Sequence, residues 1–174
     1  MDTSHRVSSM SQFKTALTAY QGFTDLVQSV ILSTVSEDSI PNASYAPFVI
    51  DESKNIYIYV SGLSIHTQNL SNVPRASVLF IEDESHTQQI FARRRLTFDC
   101  IAQYIERDTE LWNRIVKRFE ARFGEIIQIF RDLPDFRIVQ LAPSQGRFVM
   151  SFGATYEVDP NNLDTLIDIT GEGK

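Results

Sequence analysis

Only one of the 174 residues is a cysteine, Cys100, so the chain cannot form an internal disulfide. Cys100 lies mid-strand among apolar neighbours, the setting of a buried structural thiol rather than a nucleophile. No apolar run approaches the roughly 20 residues of a membrane-spanning helix. The opening MDTSHRVSSM has no signal-peptide core, so a cytoplasmic location without a membrane partner is expected. The three histidines, His5, His66 and His86, are scattered and show neither HExxH nor CxxC spacing. GxSxG, Walker and GxGxxG motifs are missing too, which removes the standard hydrolase and nucleotide-binding sites. A net charge of −6 excludes general nucleic-acid affinity, although a local basic cluster can still serve a small anion. There is no internal repeat, low-complexity tract or linker. One domain over residues 1–174 is expected, with 1–22 as an N-terminal helical arm and 159–174 as a C-terminal tail.

The chain does have material for a core: 43% apolar residues, with 12 phenylalanines. Helical spacing of Phe13, Leu17 and Tyr20 predicts a helix over 8–21. Strands are expected over 25–35, 42–50 and 56–61 as a meander. Pro47 makes the second an edge strand or the site of a bulge. Residues 63–73 read as a helix with Leu63, His66 and Leu70 on one face, stopped by Pro74. For His66, a packed or hydrogen-bonded role is the plain reading. Strands over 76–81 and 91–105 follow. The clearest helix spans 108–124, with Leu111, Ile115, Phe119 and Phe123 four apart and Gly124 as its C-terminal cap. A short helix over 125–133, strands over 135–141 and 146–158 with a bulge at Gly153, and a helical turn opened by Pro160 complete the pattern. Six or seven strands without βαβ alternation predict an antiparallel β-barrel with peripheral helices, an α+β architecture.

The stretch 75–107 organises this pattern. An apolar strand ends in Glu82-Asp83-Glu84, and the next strand opens with Arg93-Arg94-Arg95. With side chains alternating at period two, Arg93 and Arg95 share one face and Arg94 points to the other. Two guanidiniums on one face suit a carboxylate or a phosphate. The other reading is a set of solvated arginines, or ion pairs to Glu82 and Glu84. Consecutive carboxylates at a strand end are ordinarily solvated and do not by themselves form a cation site.

Several segments go further than composition. Residues 42–49 (NASYAPFV), 91–99 (FARRRLTFD), 106–112 (ERDTELW), 122–125 (RFGE) and 146–153 (GRFVMSFG) followed by Tyr156 occur in this order. Together they resemble the bacterial heme-utilisation proteins, the split-barrel type of heme-degrading enzyme. That group lies within the pyridoxamine 5′-phosphate oxidase-like, FMN-binding split-barrel superfamily. The resemblance implies a six-stranded antiparallel split β-barrel, a homodimer, and heme bound near the dimer interface. It implies a heme oxygenase-like activity using O₂ and an electron donor. An FMN-binding oxidoreductase and a non-catalytic heme carrier are the alternatives. By resemblance, Arg95, with Arg93 beside it, lies by the heme and can pair with a propionate. His66 falls at a histidine position of the family. Asp135, in DLPDF (132–136), matches an aspartate that orients the axial histidine across the interface. The family's C-terminal Gly-Glu-Gly-His reads here as Gly171-Glu172-Gly173-Lys174. The family's axial histidine is therefore missing or replaced at Lys174, which leaves three expectations open: a truncated chain, another ligand with His66 as the fallback, or weakened or absent oxygenase activity.

Overall fold

The computed structural model of the chain describes residues 3–168. The first helix, α1 (Thr3–Gln21), buries Ala16 and Tyr20. A 3-10 turn (Phe23–Leu26) leads to β1 (Ser29–Val35), β2 (Pro41–Ile50) and β3 (Ile56–Ser61), the expected meander. After α2 (Ile65–Asn72) come β4 (Arg75–Ile81) and β5 (Arg95–Ile105). These are followed by α3 (Glu110–Phe123), α4 (Ile126–Asp132), β6 (Phe136–Ser151), β7 (Ala154–Val158) and β8 (Leu166–Asp168). The strand order is β3-β2-β1-β4-β5-β6-β7-β8, and β3 also pairs with β6. Six antiparallel strands therefore close into a barrel, and β7 and β8 extend it, the expected split-barrel class. Among the described residues no helix is long and apolar enough to cross a membrane.

Two prolines sit inside strands without breaking them. Pro47 is the last β2 residue paired to β1, opposite Ser29, and pairing to β3 begins at Phe48. It marks a change of partner, not an edge as expected. Pro143 plays the same part in β6, where 136–141 pair with β3 and 146–151 pair with β7. The two strands expected over 135–141 and 146–158 are therefore one long strand followed by β7. Gly153 lies in the turn between them at φ +76°, and the irregularity falls between Val149 and Ser151. Pro160 opens no helical turn. The Asp159 carboxylate accepts from Asn161 N at 2.8 Å and Asp159 N donates to Thr165 O at 3.1 Å, which closes a loop into β8.

The described residues divide into two compact units, one from 28–78 and 99–144, the other comprising the chain up to 27, 79–98 and 145 onward. In the second, aromatic rings meet edge to face: Phe23 and Tyr20 on Phe148, and Phe80 on Phe98. In the first, α3 lays Trp112, Ile115, Val116 and Phe119 on Tyr57, Tyr59 and Ile138. Thr109 caps α3 by accepting from Trp112 N at 3.2 Å, and Gly124 ends it at φ +75°. Cys100 is buried, and that burial pushes its thiol up to about 12, as suits a structural role.

Candidate functional site

A pocket of about 780 Å³ opens in the unit formed by 28–78 and 99–144. Asn42 and residues 44–47 of β2 and 59–61 of β3 form one side, and Ser64 with the first residues of α2, Ile65 and His66, adds to it. Phe119 and Phe123 of α3, Ile126, Ile127 and Phe130 of α4, and Phe136 form the apolar remainder. Its size lies within the roughly 300–1,000 Å³ of small-molecule sites. Among the described residues no lysine or arginine lines it.

Three buried side-chain atoms without a hydrogen-bond partner line this one pocket: Asn42 Oδ1, Tyr59 Oη and His66 Nε2. A buried polar group left unpaired costs about 1–3 kcal/mol. Their convergence on a cavity marks them as groups for a ligand.

His66 sits in the first turn of α2, and the helix around it is tied down. Asn69 Nδ2 donates to Thr34 Oγ1 at 3.0 Å, Thr67 Oγ1 to Ser61 O at 2.7 Å, and Tyr104 Oη to Thr67 O at 2.6 Å. The ring is 9% exposed, and its Nδ1 lies 3.0 Å from Ser44 Oγ. When Nδ1–H donates to Ser44, Nε2 presents a lone pair to the pocket. Burial lowers the imidazole pKa below its usual value, so the ring is held neutral, the form that ligates metal. Leu63, expected beside His66 on the helix face, is 80% exposed and precedes the helix.

That lowered pKa fixes a pH effect. The unfolded chain binds the proton more readily than the folded one, so the stabilisation is present above about pH 6.5 and is lost as pH falls below it. Urea midpoints are expected to fall between pH 6.5 and 5 in the native protein, and His66→Gln is expected to flatten that slope.

Asp135 stands beside the pocket. Ser61, which lines it, donates to Asp135 Oδ2 at 2.7 Å, and Asp135 O accepts from Gly62 N at 2.7 Å. Its carboxylate is thus joined to Ser61 and not to His66, whose Nδ1 faces Ser44.

The arginine strand differs from the sequence reading. Residues 90–92 form a 3-10 turn and β5 begins at Arg95, so Arg93 and Arg94 lie in the connection and period-two alternation does not apply to them. Arg93 donates to Glu84 Oε1 at 3.0 Å and to Glu82 O. Arg94 donates to Glu82 Oε1 through Nε, at 2.9 Å, and through its terminal NH2. These hydrogen bonds from Arg94 hold the Glu82 carboxyl below the usual range despite its burial. Arg95 NH1 donates to Arg93 O at 3.0 Å. The ion-pair reading therefore holds for Arg93 and Arg94, and the shared two-guanidinium face does not form. Neither Arg93 nor Arg95 lines the pocket. Lys174 and residues 171–173 lie outside the described residues, and so does the expected C-terminal ligand position.

Sequence reasoning missed Tyr59 and Ser44. Tyr59 looked like one more apolar strand residue, and Ser44 stood inside a recognised motif without a role of its own.

Comparison with known proteins agrees with this architecture. A family described as pyridoxamine 5′-phosphate oxidase matches residues 17–150. Heme oxygenase HutZ of Vibrio cholerae serotype O1 is 43% identical over 138 residues, which are 79% of this chain and 78% of HutZ. A crystal structure of HutZ from Vibrio cholerae, described there as a heme storage protein, is similar at TM-score 0.71 and 36% identity, covering 80% of this chain and 94% of that one. The crystal structure of Campylobacter jejuni ChuZ gives a TM-score of 0.75 at 30% identity, covering 100% of this chain and 66% of that chain. With the family match spanning well over half its length, the chain belongs to the pyridoxamine 5′-phosphate oxidase family.

Proposed function

We propose that this protein binds heme and opens the porphyrin oxidatively, using O₂ and electrons from an external donor, in the cytoplasm and as a homodimer. The observation that carries the reading is His66 Nε2, buried and unpartnered in an aromatic pocket. The likeness to a protein named heme oxygenase, at 43% identity, supports the reaction class. Bound heme supplies the iron at which O₂ is reduced; the chain supplies the environment. His66 offers the nitrogen, Ser44 fixes its tautomer, and the rings of Phe119, Phe123 and Phe130 exclude water from the macrocycle. Asp135 and Ser61 form a polar edge by the pocket.

The pocket also favours heme over FMN, because a flavin phosphate finds no lysine or arginine among its lining residues. For the dimer, the support is exposed apolar surface next to the pocket. Tyr45 and Ile65, which line it, are 70% and 60% exposed, and Ile31, opposite Tyr45 across β1 and β2, is 42% exposed.

The test is aerobic turnover of hemin-loaded protein with ascorbate, followed by Soret absorbance and by iron captured with a ferrous chelator. Loss of the Soret band with stoichiometric iron release is expected. A stable Soret band overturns catalysis and leaves a heme carrier, and FMN released from the purified protein on denaturation favours the flavin oxidoreductase.

A further inference from the structure

We propose that Tyr59 forms a carboxylate subsite of this pocket, its hydroxyl donating a hydrogen bond to one carboxylate of the bound ligand, a propionate under the heme reading on which this assignment rests. The side chain is 5% exposed and its oxygen has no partner. Two residues earlier on the same strand, the Tyr57 hydroxyl is satisfied by Asp51 Oδ2 at 2.8 Å, so β3 elsewhere provides for its phenols. The Tyr59 ring is held by Phe119, Phe130 and Phe136 at centroid distances of 5.8, 5.9 and 5.9 Å and has no room to swing its oxygen to water. A phenylalanine would fill the same space without a buried, unpaired oxygen. The hydroxyl is therefore surplus to packing and available to a ligand.

The surroundings select an anionic acceptor. Trp112, in the same core cluster, carries the guanidinium carbons of Arg107 and Arg131 over its ring, at 5.5 and 5.7 Å. Arg107 is committed to the carbonyls of Leu133 and Arg131, whereas Arg131 has no ion pair among the described residues. Burial raises the phenol pKa, and the charges of Arg107 and Arg131 oppose that more strongly than Asp108 and Asp132 add to it. Tyr59 is thus a neutral donor in a locally positive field, which suits a carboxylate. His66, in the same unpartnered set, suits a metal. A metalloporphyrin with carboxylate arms satisfies both.

Equilibrium titrations with hemin and with its dimethyl ester, which lacks the free carboxylates, test the assignment. The native protein is expected to prefer hemin by about tenfold, the worth of one hydrogen bond to a charged group. Tyr59→Phe is expected to erase that preference while leaving ester affinity unchanged, and the exposed Arg131→Gln to reduce it about threefold. A preference that survives Tyr59→Phe, or an equal loss for both ligands, overturns the subsite while leaving the heme reading intact. Failure of the native protein to bind hemin overturns both.

Discussion

His66→Ala is expected to weaken hemin binding by about 100-fold, equivalent to ~2.7 kcal/mol. The pocket holds no other imidazole and no thiolate among its described lining residues, so removing His66 removes the nitrogen that the walls are arranged around. Stability is expected to change little, because the variant also removes a buried nitrogen with no partner. That separation distinguishes ligation from packing, since a structural histidine would lose both together. Exogenous imidazole is expected to enter the vacated space and restore the Soret shift. Retained affinity in His66→Ala, with the spectrum unchanged, would contradict the role.

Trp112→Ala is expected to cost about 3–5 kcal/mol of folding stability, read as a lower urea midpoint at constant slope. Trp112 is 1% exposed and anchors α3 on Tyr57, Tyr59 and Ile138. The same helix carries Phe119 and Phe123 into the pocket, so hemin affinity is expected to fall with stability. Trp112→Phe, which keeps an aromatic anchor, is expected to lose about 1–2 kcal/mol and retain most binding. Equal losses in the two variants would mean that the indole does not seat the helix.

Local chemistry made some elements legible and tertiary pairing hid others. β3 and α3 were readable because a β-branched and aromatic run and a four-residue apolar spacing each have one natural home, and Gly124 takes the positive φ its position implied. Pro47 misled because proline signals a missing donor, and whether a partner needs that donor depends on register. Arg93 and Arg95 misled for a related reason: the 3-10 turn at 90–92 delays β5 to Arg95 and removes the alternation from which their shared face was inferred. His66 was visible as a histidine on a buried helix face, but its meaning came from β2, more than twenty residues away, where Ser44 takes one ring nitrogen and the pocket leaves the other open. Tyr59 could not be separated from Tyr57 by sequence. The difference between them is Asp51, which reaches one hydroxyl and not the other.

The most direct measurement is a pair of equilibrium titrations of the native protein, one with hemin and one with FMN, followed by absorbance. Saturable hemin binding with a shifted Soret band, lost in His66→Ala, together with no FMN binding, is the expected result. Saturable FMN binding with a hemin spectrum indistinguishable from that of free hemin would contradict it.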